Sequence, residues 1–537
     1  MAEAQPFQRA VVCPVARDAK DRVTYAHLTF RQLDRASDRL AQGLESVGIL
    51  RGTRTVLMVK PSLEFFILTF ALFKAGAVPV VVDPGMGVGR MLQCLQESRP
   101  EGFIGIPIAH VLRTLRPGYF ASVKSWVTVG RRWFWGGHTL DRLMGRPWSP
   151  YTIADTRDSE TAAILFTTGS TGPAKGVVYT HGIFDAQVRS IRRQFSIKPG
   201  EIDLPTFPLF ALFDPALGMT AIIPDMDPTR PAEVDPRKII EAILHQGVTN
   251  MFASPALLNR VGRYGERHGI SLPSLKRVIS AGAPTLPVYV ERFSTMLCGD
   301  AEVHSGYGAT EAMPVSSLGG RDILSETRYR SEKGGGTCVG PPIDGMAVRI
   351  IRISEDPIPE WTPDLPVPQG EIGEIAVRGK LATAGYFERP GEDARSKIRD
   401  GEGFWHRMGD LGWLDEQGRI WFCGRKGHRV VTGDGTLFTI PCEAIFNNHP
   451  QVFRSALVGV GPMGDQRPVI CIELEKDVPA GKKPAIETEL LALGYASELT
   501  RNIRTVLFHP GFPVDIRHNS KIFRKKLALW AAGKVKR

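Results

Sequence analysis

Residues 164–176 read Ile164-Leu-Phe-Thr-Thr-Gly-Ser-Thr-Gly-Pro-Ala-Lys-Gly176, an apolar run that leads into a loop rich in glycine and hydroxyl side chains. Glycines allow backbone N–H groups to turn toward an anion, the hydroxyls add hydrogen-bond donors, and a lysine adds a full positive charge. The loop is therefore suited to a polyphosphate. The candidate phosphate-binding residues are Thr167, Thr168, Gly169, Ser170, Thr171, Gly172 and Lys175.

The spacing around the lysine distinguishes this loop from a Walker A motif, which ends in Gly-Lys followed by Ser or Thr. Here Lys175 follows Ala174 and precedes Gly176. A bare Gly-Ser-Thr-Gly is typical of an ordinary surface turn, but the length of the complete string favours a phosphate loop of a different class.

Five further strings lie downstream of the loop. They are Ser280-Ala-Gly-Ala-Pro284, Ser305-Gly-Tyr-Gly-Ala-Thr-Glu311, Met408-Gly-Asp-Leu411, Gly424-Arg425 and Ser520-Lys521-Ile-Phe-Arg524. Together with the loop, they resemble in order and spacing the motifs of the acyl-adenylate-forming superfamily, which includes acyl-CoA synthetases, peptide-synthetase adenylation domains and firefly luciferase. The resemblance extends over residues 25–527.

The resemblance implies that ATP is a substrate and assigns each string to one part of it. The residues implied to surround the nucleotide base are Gly282, Ala283, Pro284, Gly306, Tyr307 and Gly308, with the Tyr307 ring stacked near adenine. Asp410 would grip both ribose hydroxyls, and Arg425 would lie just ahead of a hinge between two domains.

The resemblance also implies three catalytic residues: Thr310 would contact phosphate, Glu311 would hold Mg²⁺, and Lys521 would be the catalytic lysine of the C-terminal segment. These roles agree with the chemistry. When a carboxylate attacks the α-phosphorus of ATP, two anions that repel each other in water must meet, so catalysis needs cations and hydrogen-bond donors around the transition state. Outside this shared context, a lone Glu311 or Asp410 would more often be a solvated loop carboxylate.

Strand-like and helix-like apolar segments alternate up to about residue 345, as in the helix predicted after Thr29, the strand 78–82 and the helix 236–246. This alternation predicts α/β layers with parallel sheets. Beyond residue 345, short strand-like runs separated by Gly and Pro predict a small β-rich subdomain. A mixed α and β pattern returns after residue 427.

We therefore expect an α/β protein whose large N-terminal domain, residues 1–424, consists of two layered α/β subdomains and the small β-rich subdomain. A hinge at 425–427 would join it to a small, mobile α+β domain, residues 428–537, that carries Lys521. Relatives usually have Asp or Lys where this chain has Gly427. Glycine permits the positive φ that an easy domain rotation would use.

Two departures from the superfamily bear on the acyl substrate. Many relatives carry a histidine after Pro-Leu-Phe, whereas here Pro208-Leu-Phe210 is followed by Ala211, which predicts an apolar acyl pocket. The stretch 430–443 places more residues between its glycines and Pro441-Cys-Glu443 than most CoA ligases do. Because that loop helps to form the thioester site in CoA ligases, we expect that CoA is not used.

This combination most closely resembles the β-lactone synthetases of long-chain olefin biosynthesis. The resemblance implies ATP-dependent activation of a long-chain 2-alkyl-3-hydroxy fatty acid as acyl-AMP, followed by attack of its own β-hydroxyl to close a four-membered lactone. The nucleophile is tethered, so no CoA thiol is needed. The alternative is a medium- or long-chain acyl-CoA synthetase or a fatty acyl-AMP ligase. His181 and His304 lie near the motifs, but no general base is assigned.

The formal charge of +11 first suggests a nucleic-acid partner. Residues 517–537, however, hold eight Lys or Arg and no acid, so the preceding 516 residues carry 59 basic and 56 acidic side chains. The excess is local and lacks interleaved stacking aromatics, which argues against nucleic acid. The expected partners are the 3-hydroxy acid and other enzymes of the olefin pathway.

Residues 131–149 combine three Trp with four Arg without a regular period. This composition favours a surface insertion or an entrance flap, with a peripheral membrane contact as the alternative.

The seven cysteines are scattered without a C-x-x-C pair, which indicates neither a disulfide framework nor a zinc site. A continuous apolar signal segment is missing from the first residues, so a cytoplasmic location is expected. The apolar stretch 65–82 contains Lys74, Gly76 and Pro79, and it is interpreted as a helix followed by a strand rather than a membrane span.

Overall fold

The computed structural model describes residues 1–167, 174–515 and 521–535. Residues 168–172 of the predicted phosphate loop lie outside the described residues, and so does the side chain of Thr167. Three large sheets form the body of the protein, and a smaller sheet follows near the C-terminus.

Sheet 1 has parallel strands except at the edge that follows the phosphate loop. Its strands, in spatial order, are His138–Thr139, Ser125–Thr128, Gly102–Gly105, Arg54–Met58, Val78–Val82, Thr161–Thr167 and Lys175–Thr180. The last two pair antiparallel, and the predicted phosphate loop lies between them in the sequence.

Sheet 2 is parallel in its interior and antiparallel at both edges. Its strands are, in spatial order, Ala312–Gly319, Glu302–Ala309, Arg277–Ser280, Asn250–Ala253, Ile202–Pro205, Thr220–Ile222, Arg9–Arg17 and Val23–Thr29. The hairpin Arg9–Arg17 with Val23–Thr29 was not among the predicted strands.

Sheet 3 is antiparallel throughout. Its strands are, in spatial order, Thr337–Gly340, Ile420–Arg425, Gly403–Leu414, Gly373–Gly379 and Met346–Ile351, with Lys397–Asp400 paired to Gly403–Leu414. This sheet confirms the predicted β-rich region after residue 345.

The C-terminal part contains the hairpin Val430–Thr432 with Gly435–Leu437 and a sheet of Val452–Val460, Arg467–Leu474 and Val506–Phe508. It contacts the rest of the chain through an ion pair between Arg263 and Glu475 at 2.6 Å. The proposed boundary around residues 425–427 stays a prediction.

Helices surround and connect these sheets. The α-helices of the described residues are Phe30–Glu45, Leu63–Lys74, Val88–Glu97, Pro107–Leu115, Leu140–Met144, His181–Gln194, Phe213–Leu217, Pro236–Gln246, Pro255–His268, Pro287–Ser294, Gly320–Asp322, Arg328–Arg330, Pro390–Ser396, Thr439–Asn447, Lys483–Tyr495 and Arg524–Ala532. Among them, none combines the length and the apolar character needed to cross a bilayer.

Local sequence signals explain where the longer helices begin and end. Thr29 and Gln32 form a capping box at the start of Phe30–Glu45, since each side chain bonds to the other residue's backbone N–H. Asp235 caps Pro236–Gln246, and Gly247 ends that helix with φ +64°. The bounds of Pro236–Gln246 and Val78–Val82 are those predicted from the sequence.

The core between sheets 1 and 2 is built around two helices. Buried side chains of Phe30–Glu45 and Leu63–Lys74 belong to one cluster that includes Ile104 from sheet 1 and Val11 from sheet 2. The two sheets are therefore layered against shared helices, as expected for the large domain.

Sheets 2 and 3 approach each other closely at Gly340, which has φ +87°. A Cβ atom there would lie 2.2 Å from the backbone oxygen of Ser317, on the edge strand of sheet 2. Only glycine permits both the backbone conformation and this distance.

A pair of glycine variants tests this contact. Gly345 also has a positive φ, +85°, but a Cβ at that position meets nothing within 4 Å. We expect Gly345→Ala to cost about 1–2 kcal/mol from backbone strain alone. Gly340→Ala should cost about 1–3 kcal/mol more, because the sheets must also move apart. Denaturant unfolding measures the free energy of unfolding of both variants. Equal decreases in the two variants would show that the close approach of the sheets does not add to the cost of a side chain at Gly340.

Candidate functional site

A continuous cavity of about 2870 Å³ brings together residues that are hundreds of positions apart in sequence. The predicted site residues that line it are Lys175, Gly282, Ala283, Pro284, Gly306, Tyr307, Gly308, Thr310, Glu311, Asp410, Arg425 and Lys521. They come from all three large sheets and from the C-terminal part. Grouping them in one cavity agrees with a common site, while their individual roles remain predictions.

The string Ser305–Glu311 lies on one hairpin of sheet 2. Thr310 and Glu311 form the tight turn between strand Glu302–Ala309 and strand Ala312–Gly319. The hydroxyl of Tyr179 donates to the backbone oxygen of Thr310, and the backbone N–H of Thr383 donates to that of Glu311 at 2.8 Å. These bonds from outside the hairpin hold the turn in place.

The carboxylate of Glu311 is positioned by groups that sequence reasoning did not identify. The hydroxyl of Tyr386 donates to Glu311 Oε1 at 2.9 Å. The ammonium of Lys397 donates to the backbone oxygen of Thr383, beside the same turn. Burial lowers the pKa of Lys397 to about 8, although the charges of Glu311 and Asp393 oppose the shift.

The donor set at Glu311 fits magnesium. Across the part of the chain that the structure describes, no cluster of three or more His, Cys, Asp or Glu side chains could form a protein cage for a metal ion. Mg²⁺ keeps several waters and usually takes one or two carboxylates together with substrate phosphates. Glu311, whose side chain lines the cavity, could serve as such a carboxylate.

Asp410 joins sheets 2 and 3 inside the cavity. Its Oδ2 accepts a hydrogen bond from the Tyr307 hydroxyl at 2.8 Å, and its Oδ1 lies 2.9 Å from Nε of Arg425. Burial raises the pKa of Asp410, while the charge of Arg425 and the bond from Tyr307 oppose the rise. Tyr307 thus orients a carboxylate, a role beyond the adenine stacking predicted for its ring.

Lys175 and Lys521 supply positive charge to the cavity. Lys175 pairs with Glu392 at 2.6 Å and lies 4.9 Å from the ring centre of Tyr386. The charge of Lys521 acts to lower the pKa of Asp410, although burial keeps that pKa raised overall. Both lysines therefore place a positive charge within the cavity.

The predicted hinge is tied to sheet 3. Lys426 Nζ donates to the backbone oxygen of Ser354 at 2.8 Å and to Glu374 at 3.1 Å. Gly427 lies within the short 3₁₀ turn Lys426–His428 and is not one of the glycines with positive φ. The conformational freedom expected of Gly427 is therefore not used in this arrangement of the chain.

The cavity wall beside Ala211 is apolar, but Ala211 itself packs in the core and does not line the cavity, so the expected effect of replacing the histidine stays a prediction. Ala211 is fully buried in the 3₁₀ turn Phe210–Leu212, and the ring centre of Phe210 lies 4.4 Å from that of Phe252. The side chains of Phe207, Leu209, Phe213 and others extend this wall along the cavity.

An acidic pair interrupts the apolar wall. Asp203, from strand Ile202–Pro205, and Asp214, from helix Phe213–Leu217, are both buried and both line the cavity. Burial raises the pKa of Asp203 to about 7 and, together with the charge of Asp203, raises that of Asp214 well above its usual value. Asp203 could have been noticed in the sequence as an aspartate inside a short apolar strand, but neither residue of the pair was among the predicted site residues.

The fold and the residues grouped in the cavity agree with an AMP-binding class of enzyme. The sequence family described as AMP-binding enzyme matches residues 2–387, and the chain belongs to this family. The amide bond synthetase McbA from Marinactinospora thermotolerans has the same fold, with a TM-score of 0.79 at 20% identity over 98% of this chain and 97% of that one.

Two relatives are much more similar in sequence. The olefin β-lactone synthetase of Xanthomonas campestris pv. campestris is 49% identical over 99% of this chain and 96% of its own length. The olefin β-lactone synthetase of Stenotrophomonas maltophilia is 48% identical over 100% of this chain and 97% of its own.

The acidic pair makes a prediction about stability and pH. The folded pKa values of Asp203 and Asp214 lie above the unfolded value, so the folded state retains protons that the unfolded state loses. Stability therefore falls as pH rises above about 4, and for Asp203 the fall continues through about pH 7. Asp214→Asn removes one of the two groups and the repulsion on the other. We expect the free energy of unfolding of this variant, measured relative to that of the wild type, to increase by on the order of 2 kcal/mol from about pH 5 to about pH 8.

Thermal or denaturant unfolding at the two pH values measures this gain. Asp300→Asn is the matched control, because Asp300 is fully exposed. A variant-to-wild-type difference at Asp214 that does not change with pH would contradict the proton retention assigned to the pair.

Proposed function

We propose that the protein converts a long-chain 2-alkyl-3-hydroxy fatty acid to a β-lactone in two steps. In the first, a carboxylate oxygen attacks the α-phosphorus of ATP and pyrophosphate leaves, giving an acyl-adenylate. In the second, the β-hydroxyl oxygen attacks the acyl carbonyl, the bond to AMP breaks, and the hydroxyl proton is released. The tethered hydroxyl has a high effective concentration, which helps to offset the strain of the four-membered ring.

The observation that carries the proposal is the continuity of one cavity. It is lined both by Glu311, Asp410 and Lys521 and by the apolar wall around Ala211. A long alkyl chain could therefore lie in the same space as the nucleotide that activates its carboxylate. The 49% and 48% identity to two proteins named olefin β-lactone synthetase, over nearly the whole chain, supports the particular product.

The proposed roles follow from the positions of the side chains. Mg²⁺, held by Glu311 and phosphate oxygens, would neutralise phosphate charge. Thr310 and Lys175, with the loop residues 167–172, would bind the phosphates. Lys521 would stabilise the charge that develops at the α-phosphorus. Asp410, oriented by Tyr307 and Arg425, would accept hydrogen bonds from the ribose hydroxyls.

The remaining predicted contacts are backbone ones. The segment with Gly282, Ala283 and Pro284 and the strand residues Gly306 and Gly308 would form the floor beneath adenine.

Residues 425–427 would be the hinge between the two domains. Rotation about it would require Lys426 to release Glu374. The expected neighbours in a pathway are the enzymes that supply the 3-hydroxy acid and consume the lactone.

The products separate this function from CoA ligation. The purified protein, given ATP, Mg²⁺ and a long-chain 2-alkyl-3-hydroxy acid, should release AMP and pyrophosphate and form a β-lactone detectable by mass spectrometry. Added CoA should leave the yield unchanged, because the internal hydroxyl replaces the thiol. A thioester that appears with CoA, with no lactone in either case, would favour the acyl-CoA synthetase instead.

A lysine variant tests the first step. Lys521→Ala should slow pyrophosphate release by about 10²- to 10³-fold while leaving ATP binding nearly unchanged, because the ammonium acts mainly on charge that develops in the transition state. Lys526→Ala is the matched control: Lys526 lies in the same basic segment, above the ring of Phe523, and does not line the cavity. Pyrophosphate release at the wild-type rate from Lys521→Ala would refute the assignment.

A further inference from the structure

The helix Pro107–Leu115 presents an apolar stripe to the cavity and to solvent. Ala109 and His110 are buried, while Ile108 and Leu115, seven positions apart, share the opposite face and are 66% and 70% exposed. Both line the same cavity as Glu311 and Lys521. Exposed Val88, at the start of a neighbouring helix, lines it as well. One mouth of the cavity is therefore bordered by apolar side chains in contact with water.

A turn within residues 131–149 is anchored to the buried face of the same helix. Trp135 is buried, stacks on His110 with ring centres 5.3 Å apart, and donates from Nε1 to Thr128 at 2.9 Å. The preceding Trp133 and Phe134 contact the Trp135 ring but remain 53% and 74% exposed. A rigid anchor thus holds two aromatic side chains out into solvent next to the helix.

The three tryptophans of residues 131–149 therefore have different surroundings. Trp148 lies against the helix Phe30–Glu45, with the Arg35 guanidinium 4.7 Å from its ring centre. Residues 138–144 add a strand to sheet 1 and a short helix with buried Leu140 and Leu143. Within the segment, the turn around Trp133 and Phe134 carries the most exposed aromatic side chains.

The sequence on either side of the turn carries an excess of positive charge. Residues 107–149 contain seven Lys or Arg and a single acid, Asp141. Arg116 and Arg131 are exposed, and Arg132 donates to the backbone of the same loop. Exposed aromatics beside a cluster of arginines match a surface that binds anionic lipid headgroups, with rings at the interface and cations on phosphates.

The proposed substrate would be found mainly in a lipid bilayer. Each methylene that leaves water contributes about 0.8 kcal/mol, so an acid with two long alkyl chains resides in a bilayer rather than in solution. A cavity mouth of apolar side chains that faces the bilayer would let the chains move into the protein without crossing water.

We propose that Trp133, Phe134 and the neighbouring arginines dock the protein on an anionic lipid bilayer, and that the alkyl chains enter the cavity past Ile108 and Leu115. The inference rests on the proposed function for its substrate. The docking itself depends only on the surface, so the two can be tested apart.

The test is flotation of the full-length protein with vesicles of phosphatidylcholine, with and without phosphatidylglycerol. The wild type should float with the anionic vesicles and much less with the neutral ones. Trp133→Ser combined with Phe134→Ser should reduce the bound fraction roughly tenfold, because two interfacial rings are lost. Arg131→Glu combined with Arg132→Glu should abolish the preference for anionic lipid.

Tyr329→Ser combined with Tyr495→Ser is the matched control, since these rings are 73% and 79% exposed elsewhere on the molecule. The control should float like the wild type. Failure of the wild type to float, or an equal loss in the control, would overturn the docking surface. Equal flotation with both kinds of vesicle would overturn the role of the arginines.

Lactone formation distinguishes this proposal from the proposed function. The Trp133/Phe134 variant should turn over a short-chain, water-soluble 3-hydroxy acid at the wild-type rate and lose about tenfold in rate only on long-chain acid presented in vesicles. If no variant and no substrate gives lactone while flotation behaves as expected, the docking surface stands and the proposed function fails.

Discussion

Asp410 is buried between Tyr307 of sheet 2 and Arg425 of sheet 3, and the geometry of the site depends on this interaction. A buried carboxylate without partners would be strongly destabilising, so the two sheets must meet where a hydroxyl and a guanidinium can reach it. The close approach at Gly340 allows that meeting. The nucleotide site is thus a junction between sheets rather than a property of one of them.

The same junction extends to sheet 1 through Tyr386. Its backbone bridges to Val177 on the edge strand of sheet 1, and its hydroxyl reaches Glu311 on the hairpin of sheet 2. Tyr179, from that same edge strand, bonds to Thr310. The residues that would bind phosphate and Mg²⁺ are therefore held by side chains whose own positions are set by packing between sheets.

The lining of the cavity is divided into a charged part and an apolar part. The charged part of the cavity is lined by Lys175, Lys521 and Arg425. The apolar part is lined by Phe207, Phe210 and similar residues. Placing an amphipathic acyl-adenylate in such a space satisfies both parts of the molecule. The buried pair Asp203 and Asp214 departs from this division, since each carboxyl lies in the apolar region and carries a raised pKa.

The class of fold and the candidate nucleotide residues could be predicted without the tertiary structure. Capping residues, apolar periods and glycine-rich strings are local signals, so elements such as Pro236–Gln246 and the string 305–311 could be identified without the structure. Tyr386, Lys397 and the pair Asp203 and Asp214 could not, because their surroundings come from segments distant in sequence. Burial and partners, which set the pKa of a side chain and its direction in the cavity, exist only once the sheets pack together.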